Sequence, residues 1–388
     1  MKRRRIAVYI GGRANYSSAK SILLSIMNHA ALELQVIAGA ASVVDRYGEL
    51  TSTLQKDGFS VNYRFFSLVE GETPLTMTKS TGLGLIEAST ALDNLKPDLA
   101  LVVGDRYDVL PIAVASTFMN IPLAHTMGGE VTGTIDESIR HAITKLAHLH
   151  FPANEDARQR IIRMGERPES VHNVGCPRND IVLQTAHHQN SREALAGLFR
   201  GYGGVGPELD LSGKFLLVSQ HPVTTEYGEN LSNMQKTLAA LGRIRLPTLL
   251  LWPNSDAGSD EVSRAVRVFR ERYKPEWLHV FKDLPVEAYI HLMNTTACLI
   301  GNSSSGIREG ALLGTPVVNV GSRQSSRLCG RNVISVPNDD SEIEKAILTQ
   351  LEHGRYEMDP LYGDGHAGAR IAELLSTFVP IIQKKIVY

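Results

Sequence analysis

The sequence predicts an α/β protein made of two doubly wound, Rossmann-like domains facing a cleft. Three observations carry that expectation. Short apolar runs alternate with segments of helical period along the 388-residue chain, the mark of parallel sheets covered by helices on both faces. The alternation lapses once, over 186–212, in polar and Gly-rich sequence that includes Gly201-Tyr-Gly-Gly-Val-Gly206. Several of the apolar runs end in turns that carry Asp, Arg, His, Glu or Ser, and open parallel sheets bind ligands just outside the carboxyl ends of their strands.

Taken in order, the first half gives strands near 6–10, 34–38, 62–66, 99–103, 121–124 and 149–151, with a weaker one near 171–174. Helical patterns lie between them, among them Ser17–Asn28, Thr81–Leu95 and Ser138–Leu149. These elements make an N-terminal domain over 1–185. A C-terminal domain over 186–369 follows, with strands near 214–219, 248–251, 278–281, 297–300, 316–320 and 332–336. A last helical pattern, about 370–388, packs back on the first domain.

Composition narrows the class. The chain is 43% hydrophobic and 21% charged, with a net charge of -1, which argues against a nucleic-acid partner. Lys2-Arg3-Arg4-Arg5 leads straight into the first strand, and no apolar run is long enough for a signal peptide or a membrane span. Cys176, Cys298 and Cys329 are too few and too scattered for a disulfide framework or a zinc site. A cytoplasmic protein is expected.

The densest stretch runs from Gly104 to His141. Asp105 and Arg106 follow the strand 99–103, and the strand 121–124 delivers His125 and the Gly128-Gly129 pair to the same rim. Asp105 also suits a helix N-cap, and the neighbouring Arg106 turns the reading toward a polar site. Asp136 and Glu137 open a helix with apolar positions at Ile139, Ile143 and Leu146. Glu137 is read as a first-turn acid stabilised by the helix dipole, and Asp136 as the one facing the cleft. Arg140 and His141, one turn on, either pair with these acids or contact substrate; His148 and His150 are read as structural.

Four more turns carry polar groups. Gly11-Gly12-Arg13 follows the first strand without the third spaced glycine of a dinucleotide fingerprint, so Arg13 alone suggests an anion there. Ser219-Gln220-His221, Trp252-Pro253-Asn254-Ser255-Asp256 and Gly301-Asn302-Ser303-Ser304-Ser305-Gly306 end strands of the second half. The last opens a helix through Glu309 and is a ready anion site, because free amides and hydroxyls point at the ligand. Gly314-Thr-Pro316 and Gly321-Ser-Arg323 add a further strand end with an arginine. The four turns of the second half together describe a nucleotide-diphosphate pocket.

The chain resembles the hydrolysing UDP-N-acetylglucosamine 2-epimerases of sialic- and legionaminic-acid pathways. The resemblance runs from Arg13 to about Gly365. It is carried by Gly104-Asp-Arg-Tyr-Asp108, Gly128-Gly-Glu-Val-Thr-Gly-Thr-Ile-Asp-Glu-Ser-Ile-Arg-His-Ala-Ile-Thr-Lys145, Gln220-His-Pro-Val-Thr-Thr225 and Pro253-Asn-Ser-Asp-Ala-Gly-Ser259. Gly301-Asn-Ser-Ser-Ser-Gly-Ile-Arg-Glu309, Gly314-Thr-Pro-Val-Val-Asn319 and Tyr362-Gly-Asp-Gly365 complete it. The resemblance implies a glycosyltransferase-B-like fold, a homodimer or homotetramer, a UDP-sugar substrate with UDP as product, and neither metal nor nicotinamide cofactor. It also implies a reaction in which UDP leaves C1 as C2 loses its proton, and water adds to the 2-acetamidoglycal to release N-acetylmannosamine.

Carried over by position, Asp105 and Asp136 match the family's catalytic acids, with Glu130 and His221 beside them. Arg106, His221, Ser303, Ser304, Gly306, Glu309 and Arg323 match nucleotide contacts, with Asn254 in the same pocket and Arg13 near the diphosphate. Two positions depart from the pattern. Met127 stands where family members have a catalytic Glu or His, and a thioether cannot exchange a proton. Either Glu130 or His125 covers that step, or the substrate differs around C3–C4 as in a 2,4-diacetamido-trideoxy sugar, or activity is lost. Asn15 stands where members often have Asp. The alternatives are a non-hydrolysing epimerase, a silent UDP-sugar-binding protein and a glycosyltransferase of the same architecture.

Overall fold

A strand buried on both faces needs apolar residues at every position rather than at alternate ones. Leu99–Val103 meets that demand and becomes a strand with all five residues buried. The structure is a computed structural model that describes residues 2–45, 50–188, 191–195, 197–254 and 256–387. It divides into two units, the first Met1–Glu130, Ile135–Ile181 and Gly363–Tyr388, the second Val131–Thr134 and Val182–Tyr362.

The first unit holds strands β1 (Arg4–Ile10), β2 (Leu32–Ala38), β3 (Val61–Arg64), β4 (Leu99–Val103), β5 (Leu123–Thr126) and β6 (Leu149–Phe151), all parallel, in the order β3-β2-β1-β4-β5-β6. The second unit repeats the plan. Its strands are β7 (Leu216–Ser219), β8 (Thr248–Leu251), β9 (Leu278–Phe281), β10 (Cys298–Gly301), β11 (Val317–Val320) and β12 (Val333–Val336), in the order β12-β11-β10-β7-β8-β9. Both are doubly wound Rossmann-like sheets whose order reverses at one point, between β1 and β4 in the first and between β7 and β10 in the second. Helices cover the faces over cores of Leu, Ile, Val and Ala, such as Ala88, Leu92, Val102, Ile112 and Ile143 in unit 1 and Leu216, Leu238, Val266, Ile300 and Ile347 in unit 2.

Some elements differ from the sequence expectation. The strand expected at 121–124 begins two residues later as β5, because Pro122 has no N–H for a ladder. The weak strand at 171–174 reduces to one bridge between His150 and Val171. The stretch 186–212 is not a bare connection: it forms the helices Ser191–Ala194 and Leu198–Tyr202, and Leu195 and Leu198 are buried with Phe215, Leu217 and Leu249. The apolar residues there are spaced closely enough to cover the second sheet. The final helix spans Ala367–Thr377 rather than 370–388, since Pro380 bars the preceding residue from helical geometry. Among the described residues no helix is long and apolar enough to cross a membrane.

The final helix lies against the helix Arg13–Asn28 within unit 1. Contact there needs Gly368, since a Cβ at that position would stand 2.7 Å from the Ser21 carbonyl oxygen. Its first amides are capped from elsewhere: the Asp180 carboxylate accepts from Ala367 N–H at 3.0 Å and Gly368 N–H at 2.7 Å, both buried. Replacing Asp180 by Ala strands two buried donors, so we expect a loss of about 1–3 kcal/mol. A lower urea midpoint at unchanged slope checks this.

Candidate active site

The switch point of each sheet leaves a gap between two strand ends, and in each unit an asparagine side chain fills it. In unit 1, Asn15 accepts from Gly11 N–H at 3.2 Å and donates to the Val103 carbonyl at 2.6 Å, tying the end of β1 to the end of β4. Asn15 is buried. A carboxylate could accept the first bond but not make the second. The amide therefore serves the fold here, and the position does not present a charge to a ligand. Gly11 is needed as well: a Cβ would lie 1.8 Å from Asp108 Oδ2, and Asp108 in turn accepts from Arg106 Nε at 3.2 Å.

Asp105 does not cap the next helix, which starts at Leu110 with Val109 at its N-cap. The Asp105 carboxylate instead receives two bonds from Arg140, from Nε at 2.7 Å and from Nη2. Arg140 Nη1 donates to the Glu130 carbonyl at 2.8 Å and to Glu137 Oε2 at 3.3 Å. Arg140 is completely buried, whereas the Asp105 side chain keeps one-fifth of its surface. Burial works against the guanidinium's charge, but Asp105, Glu130 and Asp136 outweigh it and raise its pKa. The result is a permanent cation that aims one carboxylate and neutralises part of an acidic group. Asp136 and Glu137 stand in the first turn of the helix Asp136–Leu146, and Glu137 Oε1 also meets His141 Nε2 at 3.1 Å.

The β5 end explains two other candidates. His125 is fully buried; its Nε2 lies 3.0 Å from the Gly104 carbonyl and its Nδ1 3.1 Å from Thr144 Oγ1. A carbonyl only accepts, so Nε2 carries the proton and Nδ1 accepts from the hydroxyl. Burial lowers the imidazole to about 3, against a smaller upward pull from the Gly104 carbonyl. His125 is thus a neutral group held in the scaffold by two hydrogen bonds. Met127 is buried in a left-handed conformation, φ 67°, with its N–H donating to the Phe151 carbonyl at 2.8 Å. Gly129 follows with φ 76°, where a Cβ would collide with the Ala157 carbonyl, 2.3 Å away. Glu130 is buried next to it. His148 and His150 are held in the scaffold: His148 accepts from Leu123 N–H, and His150 meets Glu166 at 3.1 Å.

In unit 2 the equivalent residue is Asn302, which is buried. Its Oδ1 accepts from His221 N–H at 2.7 Å and its Nδ2 donates to the His221 carbonyl at 2.8 Å, joining the ends of β7 and β10. Its N–H donates to the Ser219 carbonyl, and its own carbonyl accepts from Arg323 Nη1 at 3.3 Å and Gln324 Nε2 at 2.8 Å. Gly301 lets these backbones approach, since a Cβ there would stand 2.3 Å from the Ser219 oxygen. His221 Nδ1 accepts from Asn254 N–H at 3.2 Å, so the neutral ring carries its proton on Nε2, which also approaches Ser219 Oγ at 3.4 Å. Asn254 bonds Asp256, and Arg323 lies 3.8 Å from the same carboxylate.

The loops bearing His221, Asn254, Ser303 and Arg323 follow β7, β8, β10 and β11, four adjacent strands of the sheet. Ser303 caps the helix Ser304–Ile307, which breaks at Arg308 before a second short helix from the buried Glu309 to Leu313. A Cβ at Gly306 would stand 2.7 Å from the Leu299 side chain and its N–H bonds the Ser303 carbonyl, so the glycine lets this helix pack onto β10 and β11. Ser255 lies outside the described residues. The sequence reading gives Asn302 no role and leaves Arg140 between two; the pairing across chain distance that decides both has no local signal.

Comparison with known proteins adds a family. A family model described as UDP-N-acetylglucosamine 2-epimerase matches residues 25–376. The UDP-N,N'-diacetylbacillosamine 2-epimerase (hydrolyzing) of Legionella pneumophila is 31% identical over 374 residues, covering 96% of each chain. The UDP-N-acetylglucosamine 2-epimerase of Neisseria meningitidis is 28% identical over 96% of this chain and 95% of that one. A crystal structure of UDP-GlcNAc 2-epimerase from Neisseria meningitidis, bound to UDP-GlcNAc, superposes with a TM-score of 0.79 over 96% of this chain and 99% of its own, at 16% identity, a likeness of fold.

The Asn15 geometry generates a test. Asn15→Asp sets a carboxylate against the Val103 carbonyl, and we expect about 1–3 kcal/mol of stability lost at neutral pH. The new carboxyl is raised in the folded state, so its protonated form, which can donate to Val103, favours folding. The deficit relative to the parent therefore shrinks as pH falls through the carboxyl range. Paired thermal unfolding at neutral and acid pH reads the difference.

Proposed function

Because the chain belongs to the UDP-N-acetylglucosamine 2-epimerase family, we propose that it is a hydrolysing 2-epimerase acting on a UDP-2-acetamido sugar. The C2–H bond and the C1–O bond to UDP break to give a 2-acetamidoglycal and UDP. Water then adds, its hydroxyl to C1 and a proton to C2 from the opposite face, releasing the free manno-configured sugar. The observation that carries the reading is the Asp105–Arg140 pair: a fully buried guanidinium aims a partly exposed carboxylate at the switch point of a doubly wound sheet.

In this reading Asp105 and Asp136 exchange the C2 proton, with Glu130 next to the Met127 position. Unit 2 supplies the diphosphate's partners: the His221 Nε2 proton, the Arg323 guanidinium and the Ser303 and Ser304 groups. Donors fixed before the reaction stabilise developing charge without reorganising, and Asn302 holds two of these elements. Within unit 1, Arg13 opens the helix that follows β1 and Arg106 stands in the turn that follows β4. The resemblance implies a proton-exchanging side chain at position 127, and the buried methionine there suits a substrate that differs from N-acetylglucosamine around C3–C4. We therefore take the 2,4-diacetamido-2,4,6-trideoxy sugar nucleotide as the substrate, in line with the name of the Legionella relative, with UDP-N-acetylglucosamine as the alternative. The three cysteines form no disulfide, which suits a reducing cytoplasm.

Each sugar nucleotide is incubated with the pure protein in deuterated water and followed by proton NMR. We expect free C2-deuterated manno sugar plus UDP from the diacetamido compound. A product retained on UDP means the non-hydrolysing reaction; an intact donor that binds means a silent homologue. No binding of UDP overturns the reading. Asp105→Asn should lower kcat by about 10²–10⁴ while leaving UDP affinity, measured by calorimetry, nearly unchanged.

We also propose that the chain is a homodimer joined through the helix Pro74–Leu95. Leu75, Leu83 and Ile86 stand exposed on it, and Phe118 is 83% exposed at the end of the helix Leu110–Phe118, which packs against it. Gly82 on the same face leaves room for close approach. Leu83→Glu with Ile86→Glu should convert the dimer to a folded monomer in sedimentation velocity; a parent that already sediments as a monomer overturns the assignment.

A further inference from the structure

The helix Asp136–Leu146 carries Asp136, Glu137 and Arg140 in its first half, and the last four carbonyls of any helix have no partner inside it. Ala147 N–H takes the Ile143 and Thr144 carbonyls. The next partner comes from far along the chain. The Lys384 ammonium donates to the Lys145 carbonyl at 2.8 Å, to the Ala147 carbonyl, and to Glu166 Oε2 at 2.8 Å. An ammonium has three donors, and these acceptors use all of them.

Glu166 is the anchor. Its side chain is 4% exposed, and it also holds Lys145 Nζ at 2.6 Å and His150 Nε2 at 3.1 Å. Burial would raise this carboxyl, but hydrogen bonds from His150, Lys145 and Lys384 prevail and hold it at about 2. Lys384 belongs to the segment 378–387 that follows the final helix. Two further points fasten that segment to unit 1: His148 Nε2 donates to the Ile382 carbonyl at 3.0 Å, and Val387 N–H donates to the Gly165 carbonyl at 3.1 Å. Gly165 is required for this contact, since a Cβ there would stand 2.4 Å from Ile386 Cγ1. None of these residues carries a role in the proposed chemistry.

We propose that Lys384 is a positioning residue: by clamping the carboxyl end of the helix Asp136–Leu146 to Glu166, it fixes the helix along its axis and so sets the Arg140–Asp105 pair. The helix has 11 residues and is about 16 Å long, a stiff rod that carries a displacement at one end to the other. The activity arm of the test rests on the reading of Asp105 and Asp136 above; the structural arm does not.

The full-length Lys384→Ala and Lys384→Arg variants are compared with the parent by amide hydrogen exchange, by the Arg140 Nε–H resonance in ¹⁵N NMR, and by steady-state kinetics. In Lys384→Ala we expect faster exchange across residues 140–147, a shifted Arg140 resonance, and kcat lowered by about 10-fold or more with UDP affinity unchanged. Lys384→Arg, which keeps a cation of similar reach, should recover most of each. A lower melting temperature with the Arg140 resonance and kcat both as in the parent overturns the proposal, because the tail would then add stability alone. If the parent turns over neither sugar nucleotide, exchange and the Arg140 resonance still decide whether the clamp reaches the pair.

Discussion

A doubly wound sheet parts where its crossovers change direction, and the backbone groups exposed at that gap need partners that the sheet cannot supply. A side-chain amide solves this in both units. Asn15 bridges Gly11 and Val103, and Asn302 bridges the two backbone groups of His221. Only a group that both donates and accepts can span such a gap. The glycines beside them, Gly11 and Gly301, follow from the same constraint, because the approach that allows these bonds leaves no space for a Cβ. The loops that bear Arg13, Asp105, His221 and Ser303 hang from these cross-links, so their placement depends on them.

Buried charge is the second organising cost. Removing an ion from water is expensive unless its hydrogen bonds are replaced. Arg140 meets that requirement with two carboxylates and a carbonyl, and Glu166 with two lysines and a histidine. Both clusters sit on or against the helix Asp136–Leu146, one near each end. A helix held by ionic groups at both ends has little freedom to slide, which is the property a carboxylate needs if it is to take a proton from a fixed carbon. The left-handed backbone at Met127 adds a local constraint of the same kind, since long side chains rarely adopt φ near 67° and surrounding structure must impose it.

The fold class is legible in the sequence because its signal is local. A fully apolar run such as Leu99–Val103 or Leu249–Leu251 has few alternatives to a buried parallel strand, and helical period between runs fixes the crossover type. The polar turns are legible for the same reason. Less local features are not. Leu195 and Leu198 read as part of a connection until the sheet they cover is present, and the pattern of the final helix outlasts the stop imposed by Pro380.

The sequence by itself determined two Rossmann-like units, the strand ends that bear polar groups, and the family those groups resemble. Only the tertiary structure decided which of the groups are spent on the fold. His125 is neutral because burial and two bonds hold it so, Gly306 packs beneath a helix, Asn15 is a cross-link, and Arg140 belongs to Asp105, 35 residues away. The physical reason is common to all four. A side chain's charge state and partners are set by what surrounds it in space, and residue type and spacing fix only what it is able to do.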